Sequence, residues 1–562
     1  MYKDVLNIFE GISSVVWGMP TVILLVGTGV LLSFRLKFFQ LTKGSVWIRN
    51  TFIKIIDKNS HTSDDSNSLT PIQAICTALA STIGTGNIAG VAAAISIGGP
   101  GAVFWMWISA FFGMITSYSE NTLGVFYRKR NNNGQWCGGP MIYIHEGLKR
   151  RKHISILSKP LSIAYSVFLI GASLGIGNMV QANTVSDSLK STLNISVLFT
   201  GIIISAITYI IISGGLKRIG SLTEKIVPLM AIFYIVSTLY IFISNSENIP
   251  YVFSSITENA FSVKSVSGGI FAASLKKCIS TGLKRGVFSN EAGLGASVTV
   301  SSCSSLKEPC EQGMWGIFGV FTDTIIICTL TAFAMLSTSV EAYNIDYAIN
   351  NITQSPMYVY ITSDEYKNKA VLPLADKSEN NVMKIENDGG VYKITKTDKT
   401  TYTNIMKLSA DFDKQKNIRS IKLEEVEGVS LISIVFKESF GNLSSIILSA
   451  SIVLFSFSTI IGWYFYGAKA IEFLTKKNKT KKYDIIYGLS AFLGSVIKLD
   501  LVWTFSDIFN ALMSLPNLFA LIALSEDVKI ITDNYLRRLK KENIKPVTGA
   551  YEQCYLDTND KL

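Results

Sequence analysis

Charge is scarce in this sequence: Asp, Glu, Lys and Arg supply only 17% of its 562 residues, against about 25% in ordinary soluble domains. A conventional water-facing surface is therefore excluded as the main surface. Histidine is scarcer still, with His61, His145 and His153 the only three. All fall between apolar runs, which speaks against an intramembrane metal hydrolase or a histidine proton relay. The seven cysteines are an odd number. Cys76, Cys278 and Cys328 lie inside apolar runs and the longest polar stretch has none, so no disulfide framework is implied and the cysteines read as small core residues. The sequence contains no nucleophile elbow and no H-E-x-x-H, which leaves an enzyme without its usual machinery.

What is abundant is apolar: 48% of the residues, with a mean hydropathy of +0.34. Runs long enough to cross a bilayer need about 20 mostly apolar residues. Eleven are found, at 12–34, 72–97, 101–127, 160–189, 195–213, 225–244, 266–290, 313–337, 443–467, 484–503 and 506–525. The first lacks a small-residue cleavage pattern and reads as a retained helix. The net charge of +11 is gathered in alternate connections, such as Arg128–Arg130 with Lys149–Lys152, Lys217–Arg218 and Arg537–Lys541. That is the positive-inside pattern of a multi-pass protein of a bacterial-type inner membrane, not a nucleic-acid footprint. It places the N-terminus outside and the C-terminus in the cytoplasm.

The expected fold is thus all-α and polytopic, with about 11 transmembrane helices. The expected organisation is an extra N-terminal helix at 1–36, a five-helix repeat at 70–244, a second at 266–339 with 440–526, a small extracellular insertion at 340–430 and a cytoplasmic tail at 527–562. The insertion is polar, and alternation around Val382 to Ile394 predicts some strand. Two five-span halves have opposite orientation, and helices broken at matching places are the sequence mark of a midplane site in such inverted repeats. The second span is interrupted at Ile83-Gly84-Thr85-Gly86-Asn87. The seventh opens with Ser267-Gly268-Gly269-Ile270, which is taken as its partner break.

A break in a membrane helix exposes N–H groups on one half and C=O groups on the other, tolerated only where something satisfies them. The N–H end suits a carboxylate and the carbonyl end suits a cation. Glycine there lets a ligand approach the backbone.

Thr77 to Ala93 with Gly98-Gly99-Pro100-Gly101-Ala102-Val103-Phe104-Trp105-Met106-Trp107 resembles the signature of the alanine/glycine:cation symporters. Gly177 to Gln181, Arg285 to Gly295, Phe321 to Thr324 and Phe457 to Trp463 continue the resemblance in order. It implies a LeuT-type 5+5 inverted repeat around a central site, and uptake of a small amino acid, alanine or glycine, coupled to Na+, with H+ as the alternative coupling ion and no organic cofactor. It implies that the backbone of Thr85 and Gly86, with Asn87, holds the substrate carboxylate, and that Gly268, Gly269 and Ile270 line the opposite wall. Gln181 would meet the head group and Trp463 would close the pocket. The carbonyls of Ala80 and Ile83 with the hydroxyls of Ser458 and Thr459 would form the sodium site. Expected partners are the amino acid and membrane lipids, with no nucleic acid.

Two positions depart from that family pattern: Ser117, in Thr116-Ser117-Tyr118, stands where the family has Lys, and Ala468, ahead of Lys469, stands where the family has Glu after Tyr-Gly. Glu120, Arg285, Glu291, Asp323 and Asp500 are charges in or beside spans, functional candidates by default. Arg285 and Glu291 are expected to join an ion-pair network at the inner gate. A channel is the competing class, since broken helices also line pores.

Overall fold

The structure, a computed structural model, describes residues 2–550 apart from 58–60, 63–64, 66, 132–133, 262–267, 339–356, 362–381, 389–390, 395–403, 413–417, 426–428, 477–480 and 498. Each of the eleven apolar runs is mostly helical over its described residues. Among the described residues, seven helices are long and apolar enough to cross a membrane: Gly11–Arg35, Gly101–Phe126, Ser155–Lys190, Gly215–Ser244, Pro309–Ser337, Leu431–Thr475 and Val502–Ala523. An eighth crossing comes from Pro71–Thr82 and Thr85–Gly98, bent by 58° where they meet. The three remaining helices fall short for physical reasons. Val197–Ile212 and Lys481–Val496 have 16 residues each, about 24 Å at the helical rise, less than the roughly 30 Å hydrocarbon core. Gly268–Asn290 has 23 residues but includes Lys276, Lys277, Lys284 and Arg285.

Outer faces are apolar. On Gly215–Ser244, Leu229, Ile232, Val236, Tyr240 and Ile243 recur every three or four positions and are exposed, while Met230, Tyr234 and Ile241 between them are buried. Such a stripe is stable only against lipid. Inner faces approach closely through small residues. A β-carbon at Gly316 would sit 2.7 Å from the Ser117 carbonyl oxygen and one at Gly313 2.8 Å from the Tyr118 ring, so only glycine lets Pro309–Val320 lie on Gly101–Phe126.

The bent crossing starts cleanly. Pro71 occupies the first turn, the Gln73 N–H donates to Thr70 Oγ1 at 3.1 Å, and the Thr70 N–H donates back to Gln73 Oε1 at 3.3 Å, a capping box. The matching interruption differs from expectation. Gly268–Asn290 runs unbroken past Gly269, and the chain unwinds at 291–297 instead. There Glu291, Gly293 and Gly295 take φ of 57°, 90° and 73°, a left-handed sequence that ends a helix and that glycine permits. A glycine pair at the start of a helix does not break it. Three π-helical segments, Arg49–Ile53, Gly175–Met179 and Phe321–Cys328, also interrupt regular helix.

Strands are few. A short hairpin pairs β1 (Lys129–Arg130) with β2 (Trp136–Cys137). The expected insertion contains β3 (Met357–Ile361), β4 (Val382–Asp388), β5 (Val391–Ile394), β6 (Asn404–Phe412) and β7 (Ile418–Glu425) in one antiparallel sheet of order β3-β6-β7-β4-β5. The alternation around Val382 to Ile394 is the β4–β5 pair, with Ile385 opposite Ile394.

Candidate functional site

The bend in the second crossing frees backbone groups in a dry interior. The last regular bond of Pro71–Thr82 is Ile83 N–H to Leu79 O, 2.8 Å. An uninterrupted helix would next give the Gly84 N–H to Ala80 O. Here Gly84 donates to Asn87 Oδ1 at 2.9 Å, and the Ala80 carbonyl is released. Ser81 O, also released, accepts from Trp463 Nε1 at 3.2 Å.

The Ser444–Thr475 helix brings two hydroxyls to the freed carbonyls. Thr459 Oγ1 lies 3.0 Å from Ala80 O and 3.4 Å from Ile83 O, and Ser458 Oγ lies 3.4 Å from Ala80 O. Both hydroxyls also sit within 2.9 Å of Phe455 O, one turn back in their own helix. Each hydroxyl carries one proton, so several oxygens here face one another with too few hydrogens to share. All four residues are at most 2% exposed. The four residues named for a cation by the family resemblance therefore meet at one point.

The Asn87 side chain has other work. Besides accepting from Gly84, it donates through Nδ2 to Asp323 Oδ1 at 2.7 Å and Ser289 Oγ at 3.1 Å. Ser289 and Thr324 donate to Asp323 Oδ2 at 2.7 and 2.8 Å. Both ends of the Asn87 amide are thus engaged within the protein, the oxygen by Gly84 and the nitrogen by Asp323 and Ser289. In the sequence Asp323 is marked by its charge inside a span and by the Phe321 to Thr324 stretch of the family resemblance, neither of which points to Asn87.

Two buried polar atoms near the bend, Thr85 Oγ1 and Gln181 Oε1, have no partner among the described residues. Gln181 donates through Nε2 to Ile176 O of the Gly175–Met179 segment at 3.2 Å. Its Oε1 lies 3.5 Å from where a Gly84 β-carbon would be. Unpartnered buried oxygens of this kind ask for a donor. Across from Gly86 stand Phe288 and Ser289, 3.6 and 3.7 Å from the place of its missing β-carbon. The facing wall is thus the last turn of Gly268–Asn290, while Gly268, Gly269 and Ile270 open its first turn, some five turns away. Trp463 is 1% exposed. It packs on Gly177, whose β-carbon would come within 2.3 Å of it, and its indole caps the broken helix at Ser81.

The second interruption is stitched by buried polar groups. Glu120 Oε1 accepts from the Gly293 N–H at 3.1 Å and from Asn517 Nδ2 at 2.6 Å, and Asn517 Nδ2 also donates to Gly293 O at 2.8 Å. Tyr143 donates to Asn517 Oδ1, and Tyr165 to Leu294 O at 3.0 Å. The expected Arg285–Glu291 ion pair is not formed among the described residues. Arg285 lies over the Phe288 and Trp503 rings, 5.7 and 5.9 Å from their centres. Glu291 is 5% exposed and neighbours the Trp463 indole. The Asp500 side chain lies outside the described residues.

Comparison with known proteins identifies the relatives of this chain. The sequence model of the sodium:alanine symporter family matches residues 2–365 and 400–549. The unmatched stretch is 366–399, narrower than the whole insertion. The chain is 33% identical over 522 residues to the sodium/alanine symporter AgcS of Methanococcus maripaludis, covering 93% of this chain and 95% of that protein. It is 31% identical over 550 residues to the probable sodium/glutamine symporter GlnT of Bacillus subtilis, covering 97% and 94%. Among solved structures, a manganese transporter of Eremococcus coleocola superposes with a TM-score of 0.45 at 8% identity, over 85% of this chain and 83% of that one. On its match along most of its length, the chain belongs to the sodium:alanine symporter family, multi-pass membrane transporters and not enzymes.

Proposed function

We propose that this transporter carries small amino acids of the alanine and glycine class into the cell together with sodium, on a LeuT-type 5+5 inverted repeat with its N-terminus outside. The repeats are 70–244 and 266–339 with 440–526, beside the extra helix at 1–36, the insertion at 340–430 and the tail at 527–562. The observation that carries the reading is the meeting of the Ala80 and Ile83 carbonyls with the Ser458 and Thr459 hydroxyls at the bend. A sodium ion, a cation satisfied by neutral oxygens, gives those oxygens the positive partner that one proton per hydroxyl cannot. Carbonyl ends of broken helices serve cations in this way.

The substrate carboxylate faces the N–H end that Thr85 and Gly86 open toward Ala89–Gly98, where the helix dipole favours negative charge. The ammonium group meets Gln181 Oε1 and Thr85 Oγ1, the two buried oxygens in want of donors. Phe288, facing Gly86, limits the side chain to a small one. Binding of either cargo organises the same unwound backbone, which gives symport its coupling.

The test is uptake of labelled alanine into proteoliposomes with imposed sodium or proton gradients. A sodium gradient should drive saturable uptake, with glycine competing and leucine and phenylalanine failing to compete. Uptake driven by protons alone would remove sodium from the site. Preference for glutamine would move the substrate class toward that named for the Bacillus relative. Currents far above carrier turnover would make the protein a channel.

A further inference from the structure

A second built cavity lies away from the bend. It has a volume of 610 Å3 and sits between the β1–β2 hairpin, the Pro140–Lys149 helix, the start of Ser158–Leu174 and the last turns of Ser444–Thr475. That volume is in the range of small-molecule pockets, about 300–1,000 Å3. Its wall presents the cations Lys129, Arg130, Lys159, Lys469 and Lys476 against the carboxylates Glu146 and Glu472.

The carboxylates are already taken. Lys129 Nζ is 2.7 Å from Glu146 Oε1, and the buried Lys469 Nζ is 2.7 Å from Glu472 Oε2. Arg130 is held 2.7 Å from Asp65 and stacked on Trp136. Lys159 and Lys476 have no ion pair among the described residues, and both border the cavity. His145, on the same wall, has a buried Nδ1 with no partner among the described residues. The surplus is positive, and the charge that answers it is an anion.

The cavity also has an apolar exit. Ile163 lines it, and Ile163 and Val167 are 39% and 47% exposed. They are one helical turn apart on the same face, on a helix that continues into the membrane crossing Ser155–Lys190. A phosphate-bearing anion dissolved in water has no use for such a stripe, but an acyl chain does. Basic pockets between membrane helices hold anionic lipid headgroups.

We propose that this cavity binds an anionic phospholipid, its phosphate between Lys159 and Lys476 and an acyl chain along Ile163 and Val167. Lys469 is on the helix that carries Ser458 and Thr459, so the lipid seats the end of the helix that also lines the sodium site. The placement of the cavity itself does not depend on that sodium assignment.

The experiment is lipid binding to the purified full chain, read by thermal unfolding and native mass spectrometry. The probes are short-chain phosphatidylglycerol, short-chain phosphatidylcholine, glycerol 3-phosphate and inorganic phosphate. Phosphatidylglycerol should stabilise the parent and remain bound, and the Lys159→Glu/Lys476→Glu variant should bind it more weakly by at least about fivefold for each lysine changed. A Lys217→Glu variant, altered at an exposed basic residue in the first turn of Gly215–Ser244, should bind as the parent does. Equal binding by parent and double variant overturns the proposal, and so does stabilisation by inorganic phosphate or glycerol 3-phosphate to the same extent as by the lipid. Should the double variant fail to fold, Lys159→Ala alone, at an exposed position, carries the test: it must still weaken lipid binding.

Discussion

The carboxamide of Asn87 donates to the carboxylate of Asp323 across 2.7 Å, joining positions 236 residues apart. Through its other end, Asn87 holds the Gly84 N–H. The charge of Asp323 thereby reaches the one peptide group whose diversion frees the Ala80 carbonyl. Asn87→Ala should leave the Gly84 N–H buried without a partner, at a cost of roughly 1–3 kcal/mol. It should weaken the half-saturating concentrations of alanine and sodium together. Asp323→Asn should do the same more mildly. A variant that shifts one cargo and spares the other would show that Asn87 belongs to a single binding site.

Thr459→Ala should raise the sodium concentration needed for half-maximal alanine uptake by roughly five- to a hundredfold, from the loss of one buried oxygen worth about 1–3 kcal/mol. Ser458→Ala should act in the same direction. If the hydroxyls serve only Phe455 O in their own helix, the sodium titration curves of variant and parent will superimpose.

Two glycines at the bend should answer alanine substitution differently. A β-carbon at Gly84 would lie 2.7 Å from Thr459 Oγ1, whereas one at Gly86 would lie 3.6 Å from the nearest Phe288 atom, ordinary contact. Gly84→Ala should therefore depress sodium affinity strongly. Gly86→Ala should fold and retain sodium dependence while favouring glycine over alanine. Equal losses of sodium affinity in the two variants would contradict this separation.

Gln181→Ala should weaken alanine binding by roughly tenfold or more, about 1.5–3 kcal/mol for a bond to a charged partner, with sodium affinity much less affected. Isothermal titration of purified protein with alanine and with sodium separates the two. Unchanged alanine affinity would leave Gln181 as a strut for Ile176 O alone.

Excision of 366–399, the stretch outside the family match, removes β4 and β5. These form one edge of the sheet, so β3, β6 and β7 remain mutually paired. The shortened chain should fold and transport as the parent does, since closing a loop of different length costs little. Well-folded protein without uptake would assign the β4–β5 edge a part in transport.

Much of this arrangement is legible in the sequence because it is written locally. The helices follow from apolar runs, and the first bend from two glycines and an asparagine placed in an otherwise apolar crossing. The second interruption was sought at Gly268-Gly269 because adjacent glycines look like a breaker. It is made instead by Glu291, Gly293 and Gly295, whose spacing lets three left-handed residues alternate with others and whose only sequence signal is that alternation. The roles of Asp323 and Glu120 were out of reach for another reason. Glu120 meets Asn517 across 397 residues and Asp323 meets Asn87 across 236, and a carboxylate within an apolar run carries no mark of which amide it will meet. For Arg285 and Glu291 nearness in sequence suggested attraction, but the helix ends between them and sends the two side chains to different neighbours.

Asp323 and Ile176 share a further property: both sit in π-helical segments, Phe321–Cys328 and Gly175–Met179. A π turn accommodates one residue more than an α turn, and each residue turns the helix by about 100°. Loss of a single residue within 321–328 would let that crossing relax to an ordinary α-helix and swing Asp323 away from Asn87, although every polar group needed for the pair were still present. The support of the bend therefore depends on the residue count of this segment as well as on residue identity. A homologue one residue shorter in this segment would have to rebuild the support of its bent crossing from a different side chain.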